Sequence, residues 1–298
     1  MRKQPIFFPN LINKGKKEGG EVTKFLYFKI FLLLTSLGLA TTVFAQVDVF
    51  ADRLVLAHAK GEPIPNLSRE ASIDMSAAYQ IQAAYVKGRL AKDAVAGFKA
   101  GLTSSEAQAH FGINRPIFGV LFKSGNYSQN STISLKKYHY LMVETELGFI
   151  TQKPIKQTVN SVAELKSYIG QIVPVIELPD VGFALQPVNA SDLVAGNTGS
   201  MGYIFNGNIN WYGQDVNSLA VSLLHDGVIV NQGQGEDALG DQWEALRWLV
   251  NQVLAHGWSI EKGHLLITGA LGEMVPAKPG NYRAQFNDGA VIEFKFTS

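Results

Sequence analysis

The run Ile172–Leu178 is apolar but for Pro174 and Glu177, and that one carboxylate limits the folds open to the chain. Such a run reads as a buried strand. A lone buried carboxylate costs several kcal/mol, so Glu177 needs a partner or a raised pKa. Upstream, VETELGF (143–149) alternates Glu144 and Glu146 with Val143, Thr145 and Leu147. As a strand it puts both carboxylates on one face and the apolar side chains on the other. The same alternation also describes the solvated face of a half-buried strand. One divalent cation held by Glu144, Glu146 and Glu177 would answer all three carboxylates. Oxygen-only ligation with open positions suits Mg²⁺ or Mn²⁺.

The 298 residues are enough for one large domain or two small ones. The net charge of +1 is unevenly spread: seven of 26 basic residues and two of 25 acids fall in 1–45. Residues 46–298 therefore carry 19 bases against 23 acids, and no basic patch argues for nucleic acid. Lys24 and Lys29 precede the uncharged apolar run Ile30–Ala45, which ends Val43-Phe44-Ala45. A basic region, an apolar stretch and a small residue predict a signal peptide over 1–45, with export to the periplasm. The alternatives are an uncleaved N-terminal anchor, which would be the only membrane contact, and a buried helix; a cytoplasmic location is the alternative to export. The chain has no cysteine, which excludes disulfides, thiolate metal sites and cysteine nucleophiles.

Residues 46–95 read as helical, with apolar residues at three and four spacing and Ser68 or Ser72 as caps. From about residue 97, short Val, Ile, Phe and Tyr runs alternate with Gly, Asn, Pro and Asp clusters, the pattern of strands and turns. VSLLHDGVIVNQ predicts a hairpin turning at Asp226-Gly227. One helix interrupts the strands. Asp241 caps it with Glu244 completing a capping box, Trp243, Leu246, Val250, Val253 and Leu254 form its buried stripe, and Gly257 ends it. HLLITGAL, NYRAQF and AVIEFKF read as closing strands. GQGEDA (233–238) mimics a dinucleotide fingerprint, but the preceding strand belongs to a hairpin and no βαβ unit follows, so that reading is rejected. The six histidines show no metal-ligand spacing. The expected fold is α+β, with a helical N-terminal part and a single domain over 46–298.

Seven segments in order resemble the 2-keto-4-pentenoate hydratase group of the fumarylacetoacetate hydrolase superfamily, which also includes 4-oxalocrotonate decarboxylases. They are AYQIQ (78–82), GFKAGLTS (97–104), VETELGF (143–149), PVIELPD (174–180), DLVAGNTGS (192–200), ALGDQWEALRWLVN (238–251) and ITGALGEMVPAKPG (267–280). The resemblance implies a mixed β-roll core, a bound Mg²⁺ or Mn²⁺ and a homo-oligomer. It implies that Glu144, Glu146 and Glu177 ligate the metal and that Lys99 points into the site as a catalytic group. It implies that Thr103, Ser104 and Thr268 hold the substrate, a small 2-oxo or 2-hydroxy-dienoic acid from aromatic ring degradation. Such an acid chelates a metal through its carboxylate and carbonyl, and the metal stabilises the enolate.

The chain departs from the group at RPIFGVLFKSG (115–125), where Ile117 stands in place of an expected acid and Lys123-Ser124 in place of an acidic pair. Gly196 replaces another acid common in the group. The expected activity is a metal-dependent lyase, a hydratase of an acid such as 2-hydroxypenta-2,4-dienoate. The alternatives are a 2-oxo acid decarboxylase, an acylpyruvate hydrolase, and an exported, catalytically weakened keto-acid-binding protein.

Overall fold

Residues 46–298 are described by the structure, a computed structural model. The expected signal peptide or anchor over 1–45 lies outside the described residues. Among the described residues no helix is long and apolar enough to cross a membrane.

Six helices carry labels: α1 over 46–60, α2 (Met75–Arg89), α3 (Ser105–His110), α4 (Val162–Lys166), α5 (Ala190–Ala195) and α6 (Gln242–Ala255). The N-terminal part is less continuous than its spacing predicts. Gly61, Pro63 and Pro65 end α1, and 61–74 is irregular apart from a 3-10 turn at Leu67–Arg69. Neither Ser68 nor Ser72 caps α2. Asp74 does, accepting from the Ala77 amide at 2.8 Å, while Ser68 bonds to Asp192. Gln82 of α2 donates to the Phe118 and Val194 carbonyls and so ties the helix to the neighbouring strand and to α5.

The strands in chain order are β1 (Val95–Gly101), β2 (Ile117–Phe122), β3 (Asn126–Tyr127), β4 (Thr132–Ser134), β5 (Met142–Thr151), β6 (Ile169–Leu178) and β7 (Gly202–Phe205). Then follow β8 (Ala220–His225), β9 (Val228–Gln234), β10 (Leu265–Ile267), β11 (Val275–Pro276), β12 (Gly280–Phe286) and β13 (Val291–Thr297). A mixed sheet runs β2-β1-β10-β5-β6-β7-β3, with β11 added at β5. A second runs β4-β13-β12-β8-β9. The predicted hairpin is present as β8 and β9, with Asp226 at φ 48° and Gly227 at φ 82°, the positive values a two-residue hairpin turn requires. The three predicted closing strands are β10, β12 and β13.

The main core takes side chains from both sheets, α1 and α6. In α6, Asp241 caps as expected, accepting from Glu244 N at 2.9 Å. The buried stripe is Gln242, Ala245, Leu246, Leu249, Val250 and Val253. Trp243 and Leu254 lie at its half-buried margin, and the Trp243 ring meets Phe149 edge-on. GQGEDA spans the end of β9 and a 3-10 turn at Gly235–Asp237. The molecule is α+β with a helical N-terminal part and curled mixed sheets, as expected.

Candidate metal centre

β5 and β6 carry the centre. Their register sets Glu144 directly opposite Glu177, and direct partners in an antiparallel pair share a face. Glu146 lies two residues on and shares it too. One carboxylate oxygen from each of the three lies within 4.8 Å of the others. The opposite face of these strands supplies Val143, Leu147, Ile172 and Ile176 to the main core.

Lys99 reaches the same face from β1. Ile267 of β10 pairs with Lys99 on one side and with Gly148 of β5 on the other. Lys99 is 3% exposed, and its Nζ lies 2.5 Å from Glu177 Oε1. Gly119 of β2 stands opposite Lys99, where a Cβ would lie 3.3 Å from Lys99 Cγ and 2.7 Å from the Asn197 carbonyl oxygen. The missing side chain gives the lysine its path and lets the 197–199 segment approach. That segment is held by side chains: Asn197 bonds to both the amide and the carbonyl of Val120, and Thr198 Oγ1 donates to the Phe118 carbonyl. Asn197 and Thr198 have φ of 59° and 55°, a conformation that for non-glycine residues needs such support.

Three carboxylates meet one ammonium here. Burial, then the charge of Glu177, pushes the Glu144 carboxyl up to about 8, with Lys99 opposing. Burial and then the other two carboxylates hold Glu146 well above the usual range. Burial works against the Lys99 ammonium, but the charges of Glu177, Glu144 and Glu146 outweigh it and raise its pKa. Glu146 Oε2 accepts from Gly269 N at 2.8 Å. Glu177 Oε2 is buried with no hydrogen-bond partner among the described residues. A native buried oxygen without a partner calls for an unseen one. The excess negative charge and the all-oxygen donor set fit a hard divalent cation.

The three expected substrate-holding residues are placed differently. Thr103 is buried and packs on Gly269. Thr268 is fully buried, and its hydroxyl lies 2.5 Å from Gln242 Oε1. Ser104 caps α3, accepting from Ala107 N at 3.1 Å. Thr103 and Thr268 thus flank the glycine that binds Glu146, while the Ser104 oxygen is engaged in the cap. Ile117 is fully buried on the sheet face that carries Lys99, paired with Gly101, among Phe183, Leu193 and Val194. Gly119, Asn197, Gln242 and the Gly269 amide were not singled out from sequence. Gln242 lies in the quoted ALGDQWEAL segment, but a polar residue after a cap gives no sign of burial.

A cavity of about 790 Å³ opens over the centre. Lys99, Glu144 and Thr198 lie at its floor, and Leu102, Phe111, Phe183, Val188, Leu193 and Met274 line its wall.

No family model matches the chain. It is 30% identical over 258 residues to a 2-keto-4-pentenoate hydratase of Paraburkholderia xenovorans (strain LB400), covering 85% of this chain and 96% of that one. It is 25% identical over 239 residues to a 4-oxalocrotonate decarboxylase of Pseudomonas sp. (strain CF600), covering 79% and 90%. Among solved structures, 4-oxalocrotonate decarboxylase from Pseudomonas putida G7, complexed with magnesium and adipate, superposes with a TM-score of 0.80 at 22% identity over 85% of this chain and 98% of that one. A fumarylacetoacetate hydrolase family protein from Yersinia pestis CO92 gives 0.52 at 16% identity, over 67% and 92%.

Proposed function

This chain belongs to the 2-keto-4-pentenoate hydratase family of the fumarylacetoacetate hydrolase superfamily, and from that premise we propose that it is a metal-dependent lyase hydrating a small 2-hydroxy-dienoic or 2-oxo acid. One observation carries the reading: Glu144, Glu146 and Glu177 converge beside a buried Lys99, with Glu144 and Lys99 at the cavity floor and Glu177 Oε2 without a partner among the described residues. The three glutamates would hold Mg²⁺ or Mn²⁺. When bound, such a cation would supply Lewis acidity to the 2-oxo acid.

The chain's own groups supply the rest. Lys99 stays charged among three carboxylates and places an N–H donor beside negative charge developing on a substrate oxygen. Burial of Lys99, Glu146 and Glu177 lowers the local dielectric and strengthens that interaction. Gly269 N fixes one oxygen of Glu146 and so its orientation. A second reading, decarboxylation of a 2-oxo acid, is favoured by Ile117, which offers no acid to a water-adding step.

The test is the loss of the diene absorbance of 2-hydroxypenta-2,4-dienoate with Mg²⁺, Mn²⁺ or a chelator, with products weighed by mass spectrometry. Metal-dependent gain of one water is expected. Glu177→Gln should abolish it, and Lys99→Met should lower turnover by about 10²–10⁴ while Mn²⁺ binding persists. Turnover indifferent to the chelator and to both substitutions would sink the reading.

A further inference from the structure

The proposed chemistry uses only the floor of the cavity and leaves its wall without a role. That wall is the exposed side of a small apolar cluster containing Ile117, Phe183, Leu193 and Val194. Phe183 and Leu193 are 8% and 6% exposed, so the deep part of the wall belongs to the packed interior, while Leu102, Phe111 and Val188 are half-buried and Met274 is exposed at its rim. Ile117 lies on the same sheet face as Lys99, two residues along β2 from Gly119 and paired with Gly101.

The histidines of the cavity lie at its exposed mouth, His110 edge-on to the wall residue Phe111. Lys99 is committed to Glu177. His139 is exposed, with its Nε2 at the Gly61 carbonyl, 2.9 Å away. His110 is exposed at the end of α3. Among the described residues no arginine lines the cavity. A second carboxylate on the substrate would therefore lie against apolar carbon without a buried cation to pair it, which is costly. A hydrocarbon chain there instead gains from leaving water. A five-carbon acid fills roughly 240 Å³ if each heavy atom takes the ~30 Å³ of a liquid water, well below the cavity's volume of about 790 Å³.

We propose that the site selects a 2-oxo or 2-hydroxy acid whose far end is an uncharged apolar chain longer than that of a five-carbon acid, and discriminates against dicarboxylic acids of the same length. This selectivity rests on the metal-dependent reading above. Leu102, Phe111, Phe183, Val188 and Leu193 are its specificity-determining residues.

The experiment is calorimetric titration of the full chain with pyruvate, 2-oxohexanoate, 2-oxooctanoate and 2-oxoadipate, with Mg²⁺ and again with a chelator. These saturated acids offer the same chelating end and differ only in the tail. Affinity should rise about threefold to fourfold per methylene from pyruvate to 2-oxohexanoate, and further to 2-oxooctanoate. The six-carbon diacid should bind at least tenfold more weakly than the six-carbon monoacid. Val188→Lys, at a half-buried loop position, should move that ratio at least tenfold toward the diacid. A diacid that binds as well as the monoacid, or affinity that does not change with tail length, overturns the inference while leaving the metal centre standing. Absence of metal-dependent binding by every acid, pyruvate included, overturns the centre and the inference together.

Discussion

Glu177 has the Lys99 ammonium on one oxygen and, among the described residues, nothing on the other, and its two neighbours on the sheet face are acids. Its need for partners was legible from the sequence, because a carboxylate inside an apolar run cannot be left alone. The identity of the protein partner was legible only through resemblance, since Lys99 lies 78 residues away in sequence. His58 was not legible at all. It is half-buried near Arg89, and burial, then the Arg89 charge, lowers its pKa to about 4, with Asp93 opposing. In the unfolded chain it takes up a proton near 6.5. Between those values the unfolded state binds more protons, so the contribution is complete above about 6.5 and is lost as pH falls toward 4. Urea unfolding at pH 7 and pH 5 should show wild type losing about 1 kcal/mol more than His58→Gln, a figure discounted for partial exposure. Equal losses would mean that His58 titrates alike in both states.

Elements announced by local chemistry came out where expected. The β8–β9 turn needs positive φ at two residues, and Asp226-Gly227 supplies it. Asp241 caps α6 through its own side chain. The helical reading of 46–95 fared less well, because three and four spacing continues across Pro63 and Pro65 while the backbone does not. Contacts between elements left the weakest trace. The Asn197–Gly199 segment docks on β2 through Val120 and Phe118, far apart in sequence, and Gly119 is the residue that lets it close. Gly119→Ala would press a methyl against the Asn197 carbonyl, so either β2 or the segment must move. Denaturant unfolding should show a loss of about 1–3 kcal/mol, and Mg²⁺-dependent pyruvate binding should weaken in calorimetry because Lys99 and Thr198 move with it. Unchanged binding with lowered stability would show that the contact is structural alone.

On the scale of the whole molecule, we propose that 46–298 is the folding unit. α1 places Val47, Phe50, Ala51, Leu54 and Ala57 among the buried residues, so it belongs to the domain and not to a leader. A chain starting at Gln46 should keep the melting temperature and Mg²⁺-dependent binding of the full chain. A chain starting at Gly61 should not fold, since each lost apolar side chain forfeits about 1.5–3 kcal/mol against a net stability of about 5–15 kcal/mol. Folding of the shorter chain would contradict the assignment of α1. The pairing of β5 with β6, Glu144 against Glu177, also works as a parity check. Side chains alternate between two faces, so inserting or deleting one residue inside either strand turns the remainder over and exchanges carboxylates for core residues. The 152–168 connection is outside that constraint, because ladder hydrogen bonds and not loop length set the register. Length variation among descendants of this chain should therefore collect in the exposed stretches 152–154 and 156–158, on either side of the buried Ile155, and a single-residue change within 143–149 or 172–178 should cost the centre and the core together.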